Sequence, residues 1–161
     1  MGRLTFTDVP PRAQEIIRKN QTAAPVPVGA IAKDLGVKVV ISDLPLAVSG
    51  TLSRNADDGA WTIRVNRHEH KNRQRFTIAH EIAHFVLHRD VIDNELVDDT
   101  FYRSGLSEQR EYEANALAAD ILMPWALVQE LMRKGNNSSK ELAQALEVSP
   151  AAMSIRLGLP T

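Results

Sequence analysis

His80 and His84 lie four residues apart around Glu81 in the run His80-Glu81-Ile82-Ala83-His84. On a helix, positions four apart project from one face, so both imidazoles can reach a single cation. Glu81 follows the first imidazole by one residue, which sets a carboxylate beside the vertex left for water without making it a ligand. These residue types at this spacing imply metal-assisted hydrolysis of a peptide bond, with a divalent ion to polarise the carbonyl and a carboxylate to move the proton. The motif is short, and a helix with two surface histidines would also satisfy it. The neighbours argue otherwise. Ile78, Ala79, Ile82, Ala83, Phe85, Val86 and Leu87 surround the pair, so the helix is expected to be largely buried. Buried imidazoles need partners for their polar atoms, and a shared metal is one answer.

A catalytic zinc site takes three protein ligands and keeps one position open. The chain has no cysteine, so nitrogen and oxygen must hold any metal. His88 lies four residues past His84, but a helix rises about 6 Å over that distance and the first pair already places the ion. His88 therefore reads better as a group that supports a ligand or faces substrate, or as a buried histidine with a backbone partner. A carboxylate from the stretch Glu108 to Leu122 suits the third position. Glu111 and Glu113 are the candidates, on nearly opposite sides of that helix. Glu111 shares its face with Asn115, whose amide oxygen would accept the second N–H of a ligating histidine and fix its tautomer. We favour Glu111, with Glu113 as the alternative. His68 and His70 sit in a polar stretch read as the exposed loop leading into the metal helix, with a third metal-ligand role as the lesser alternative. The donor set suits Zn2+, with Mn2+ or Fe2+ as alternatives. A tetrahedral oxyanion needs a donor besides the metal; His88, Tyr102 and Tyr112 are the candidates for oxyanion or substrate contacts.

The elements that must position these residues follow from periodicity and punctuation. Helices are predicted over Pro11–Asn20, Val28–Leu35 (closed by Gly36), Asn72–Leu87 and Glu108–Leu122, and from Pro124 to Gly135. Ser138 with Glu141 forms a capping box for a short helix to Leu146, and Ser149-Pro150 opens the last one. Val37–Ile41, Ser49–Ser53 and Trp61–Val65 read as strands, the last two joined by the turn Asp57-Asp58-Gly59 into a hairpin. Arg89–Ser107 reads as a long loop. The expected class is α+β: mainly helical, with a small antiparallel or mixed three-stranded sheet.

The 161 residues suit one domain with a proper core, and the formal charge of -1 gives no electrostatic case for nucleic acid or membrane binding. No apolar run approaches the ~20 residues needed to span a bilayer. The N-terminus lacks the apolar centre of a secretion signal. Absent cysteines fit a reducing compartment, so a cytoplasmic location is expected.

With these residues in view, the chain resembles the ImmA/IrrE family of metallopeptidases. The likeness is carried by Val28-Gly29-Ala30-Ile31-Ala32-Lys33-Asp34-Leu35-Gly36-Val37, Ser49-Gly50 and Ile63-Arg64-Val65-Asn66. It continues through Arg75 to His88 and Glu111-Tyr112-Glu113-Ala114-Asn115-Ala116-Leu117 to Pro124, and into the tail at Leu146–Ser149 and Ile155–Leu159. Leu117 departs mildly, since the family commonly has Phe there. The resemblance implies a zincin-like domain over residues 1–135 with a small helical, helix-turn-helix-like subdomain over 136–161. It implies a gluzincin site in which His80, His84 and Glu111 hold the metal and Glu81 is catalytic. It also implies a helix-turn-helix repressor, often the neighbouring gene product, as substrate or partner, with mobile-element or stress-response genes under control. The alternative is a metal-binding regulatory or toxin component of a toxin–antitoxin-like pair with little intrinsic peptidase activity. Direct DNA binding by the tail is not expected. Glu147 occupies the turn where such motifs prefer Gly, and the last helix offers little beyond Ser154 and Arg156 for bases or phosphates.

Overall fold

The structure, a computed structural model, describes residues 8–99 and 106–159. In chain order these form α1 (Pro11–Lys19), α2 (Val28–Asp34), β1 (Val37–Ser42), β2 (Val48–Arg54), β3 (Trp61–Asn66) and α3 (Lys71–His88). A 3-10 turn (Arg89–Val91), β4 (Glu95–Asp99), α4 (Glu108–Leu122), α5 (Trp125–Arg133), α6 (Ser139–Leu146) and α7 (Pro150–Leu157) complete them. The class is α+β.

The sheet has four strands in the order β1-β3-β2-β4, not the three expected from sequence. β2 and β3 form the expected antiparallel hairpin, with Leu52 opposite Ile63, and β1 joins β3 in parallel. The added strand lies in the stretch read as a loop: β4 runs antiparallel to β2, pairing Leu96 with Leu52 and Val97 with Thr51. Its sequence, Glu-Leu-Val-Asp-Asp, is too short and acidic for alternation to register. It becomes a strand because β2 offers a free edge and Leu96 finds a place in the core, where it is almost fully buried. Both hairpin strands are flanked on each side, so among the described residues the outer strands of the sheet are β1 and β4. An extended peptide therefore cannot add to the hairpin itself.

α3 contacts β2 and β3 on one side and α4 on another. Leu52 and Ile63 from the sheet, Ala79, Ile82 and Ala83 from α3, and Ala114, Leu117, Ala118, Ile121 and Leu122 from α4 share one core cluster. Covered on several sides, α3 buries every residue from Ala79 through Val86, including His80, Glu81 and His84. Polar groups on such a segment are costly unless they meet partners inside the protein. The sheet comes close to α3 at Gly50, where a Cβ would lie 2.5 Å from Thr77 Cγ2 and 2.8 Å from the Arg64 carbonyl oxygen. Only glycine allows that approach.

Side chains cap the helices that carry the functional residues. The His70 ring accepts the Asn72 N–H at the start of α3, and Ser107 Oγ accepts the Arg110 N–H at the start of α4. Ser138 Oγ accepts the Glu141 N–H, as the capping-box reading required. α6 and α7 pack on each other, and Leu142, Leu146 and Met153 join the same core cluster. Glu147 links them in the left-handed region, with φ 53°. Its carboxylate meets Lys71 Nζ at 2.7 Å and Arg75 Nε at 4.0 Å, which ties the α6–α7 turn to the first turns of α3. Among the described residues, no helix is long and apolar enough to cross a membrane.

Candidate metal centre

His80 and His84 project from one face of α3, with Nε2 atoms 3.1 Å apart. α4 crosses beside them and presents Glu111, whose Oε2 lies 3.3 Å from His80 Nε2 and whose Oε1 lies 3.1 Å from His84 Nε2. One ligand atom from each of the three residues fits within 4.8 Å of the others. The rings stand nearly perpendicular, at 87°, so each directs a nitrogen toward the common point from a different side. Phe76, one turn earlier on α3, stacks on His80. His84 is fully buried while the Glu111 side chain is 30% exposed, so the group opens to solvent on the carboxylate side.

Hydrogen bonding orients the imidazoles. Asn115 Oδ1 lies 2.9 Å from His80 Nδ1. An amide oxygen can only accept, so His80 carries its proton on Nδ1 and turns the Nε2 lone pair toward Glu111 and His84. Burial pushes the His84 pKa below its ordinary value, against the opposing pull of the nearby Glu111 carboxylate, which favours the charged ring. His84 is thus held neutral, the form in which imidazole binds a metal. Ring nitrogens and a carboxylate that converge in this way, all acceptors, make the donor set of a divalent cation. The residues present fit a bound metal.

The other candidates fall elsewhere. Glu113 does not reach the group; lying about 200° round α4 from Glu111, it meets His88 Nε2 at 2.9 Å through Oε1. His88 Nδ1 lies 3.0 Å from His84 Nδ1. Both His88 nitrogens are thereby engaged, which leaves none for an oxyanion or a substrate. Glu113, the alternative ligand in the sequence reading, has a definite partner that only the crossing of α3 and α4 reveals. The spacing of His84 and His88 was the one local signal, since it places two imidazoles on a common face. Tyr112 is 55% exposed beside Glu111, and Tyr102 lies outside the described residues. His68 pairs with Asp43, and His70 serves as the helix cap; neither joins the group. Glu81 is fully buried on α3 next to His80.

A mixed sheet, a buried helix bearing His-Glu-x-x-His and a crossing helix that supplies a carboxylate together describe a metallopeptidase-type domain. Residues 32–158 match the IrrE N-terminal-like domain of the M78 peptidases, and the chain belongs to that family. It is similar to the radiation response metalloprotease IrrE of Deinococcus radiodurans, with 35% identity over 105 residues, 59% of this chain and 31% of that protein. The IrrE of Deinococcus deserti is also 35% identical, over 94 residues, 54% of this chain and 33% of its own length. The matched segments thus span about a third of these relatives. In fold the chain is similar to a Mycobacterium tuberculosis transcriptional regulator, with a TM-score of 0.62 and 19% identity over 92% of this chain and 46% of that one.

Proposed function

We propose that the chain is a zinc-dependent endopeptidase that cleaves a helix-turn-helix repressor and so controls stress-response or mobile-element genes. The observation that carries the hydrolytic reading is the convergence of His80 Nε2, His84 Nε2 and the Glu111 carboxylate beside a buried glutamate. Family membership and the two relatives named as radiation response metalloproteases support it. The repressor substrate rests on the family resemblance.

His80, His84 and Glu111 would hold the metal, which when bound supplies Lewis acidity toward the scissile carbonyl and an acidified water. Asn115 keeps the His80 lone pair turned inward. Glu81 takes the proton of the attacking water and later hands it to the leaving amine. Tyr112, next in sequence to Glu111 and exposed to solvent, is the remaining described candidate for a substrate contact.

The test is incubation of the zinc-loaded protein with purified repressor-type proteins encoded beside it. Cleavage that is abolished by chelator and by Glu81→Gln, while zinc remains bound in that variant, is the expected result. Cleavage undiminished in Glu81→Gln removes the assigned chemistry.

A further inference from the structure

The His80 tautomer is set in one step by Asn115. His84 is served by a longer path. Its Nδ1 meets not an amide oxygen but the Nδ1 of His88, at 3.0 Å, and His88 Nε2 meets Glu113 Oε1 at 2.9 Å. The His84 and His88 rings are buried, and both belong to the segment of α3 that the sheet and α4 cover. Two imidazole nitrogens can face each other across a hydrogen bond only if one carries a proton and the other a lone pair. Something must choose between the two arrangements.

We propose that Glu113 makes that choice, and that Glu113 and His88 are positioning residues for the zinc ligand His84. The inference rests on the reading of His84 as a ligand. An ionised carboxylate can only accept, so the proton of His88 goes to Nε2 and points at Glu113. His88 Nδ1 is then an acceptor and takes the Nδ1–H of His84. His84 Nε2 keeps its lone pair, directed at the point shared with His80 and Glu111. The reverse order would set a His88 lone pair against the carboxylate and place a proton on His84 Nε2, where the metal is to bind. A carboxylate that acts through one imidazole on the next extends the carboxylate–histidine–metal arrangement by one residue. The i, i+4 spacing of His84 and His88 makes the extension available. Glutamate is required at 113 for its one-way hydrogen bonding: glutamine can turn its NH2 toward His88 and let the order run backwards.

The experiment uses the full zinc-loaded chain, labelled with 15N, and reads ring proton positions by long-range 1H–15N correlation, alongside competitive zinc titration. The expected wild-type spectrum has His88 protonated at Nε2 and His84 at Nδ1. His88→Phe fills the ring volume but leaves the His84 Nδ1–H without an acceptor; its zinc affinity is expected to fall about 10–100-fold. His88→Gln, whose amide oxygen can accept that proton, should recover part of the loss, and Glu113→Gln should give a mixture of the two orders. A zinc-loaded wild type with His88 protonated at Nδ1 or at both nitrogens overturns the inference and leaves the metal reading intact. So does a His88→Phe variant that binds zinc within about twofold of wild type, well below the loss such partners usually cause. A wild type that binds no zinc overturns both.

Discussion

Asn115 Oδ1 and His80 Nδ1 meet at 2.9 Å, across the contact between α4 and α3. The same helix that brings Glu111 toward the imidazole nitrogens thus also fixes one of them from behind, because Glu111 and Asn115 are one turn apart. Replacing Asn115 with Leu keeps the approximate volume and removes the acceptor. The His80 Nδ1–H is then buried without a partner, and the ring is free to turn. Zinc affinity should fall about 10–100-fold, measured by competition with a chromophoric chelator, while Asn115→Asp, which still accepts, should stay close to wild type.

Gly50 allows β2 to come close to α3. Gly50→Ala forces either Thr77 or the Arg64 carbonyl to move, since both would be under 3 Å from the new methyl. Overpacking of this kind costs about 2–3 kcal/mol, read as a lowered midpoint in urea. Thr77→Ser, which removes the nearer obstructing methyl, should recover part of that loss in the double variant. Equal stability of wild type and Gly50→Ala would contradict the close packing described.

Glu147 adopts φ 53° and also binds Lys71 and Arg75. Alanine keeps the backbone strain and removes the ion pairs; glycine removes both. The left-handed penalty for a residue with a Cβ is about 1 kcal/mol, whereas a largely exposed ion pair contributes roughly 0.5 kcal/mol. Thermal unfolding should therefore rank Glu147→Ala below Glu147→Gly, with glycine near wild type. The opposite ranking would show that the left-handed backbone carries no strain here, and a glycine variant well below wild type would show that the contacts to α3 outweigh it.

Much of this site was legible because its determinants are local. The pair His80 and His84 is set by helical spacing, and Glu111 stood out through its relation to Asn115 on the same face. The strand β4 was illegible because Glu95–Asp99 has no pattern of its own; it follows β2, which is distant in sequence. The role of Glu113 was hidden for a similar reason. Its place nearly opposite Glu111 on the helix named no partner, and only the crossing of two helices supplies His88. The parallel pairing of β1 with β3 likewise depends on a connection that passes through β2, and composition does not encode it.

The buried His84 also predicts a pH response. Its folded pKa lies below the ordinary histidine value of about 6.5, chiefly through desolvation. As pH falls through that value the unfolded chain takes up the proton first, so the folded state loses stability; above it the contribution is fully present. Urea midpoints of the metal-free protein should thus decline between pH 7.5 and 5.5. His84→Gln, which cannot titrate, should show a shallower decline. A wild-type midpoint that rises on acidification would contradict the buried neutral imidazole.

The metal centre stands or falls with the carboxylate that completes it, and zinc titration of the wild type, Glu111→Ala and Glu113→Ala tests that directly. The wild type should bind one zinc ion per chain. Glu111→Ala should weaken binding about 100-fold or more, as expected for loss of one of few ligands, with Glu113→Ala losing less. If Glu111→Ala binds as tightly as wild type while Glu113→Ala binds nothing, the assigned metal centre is wrong.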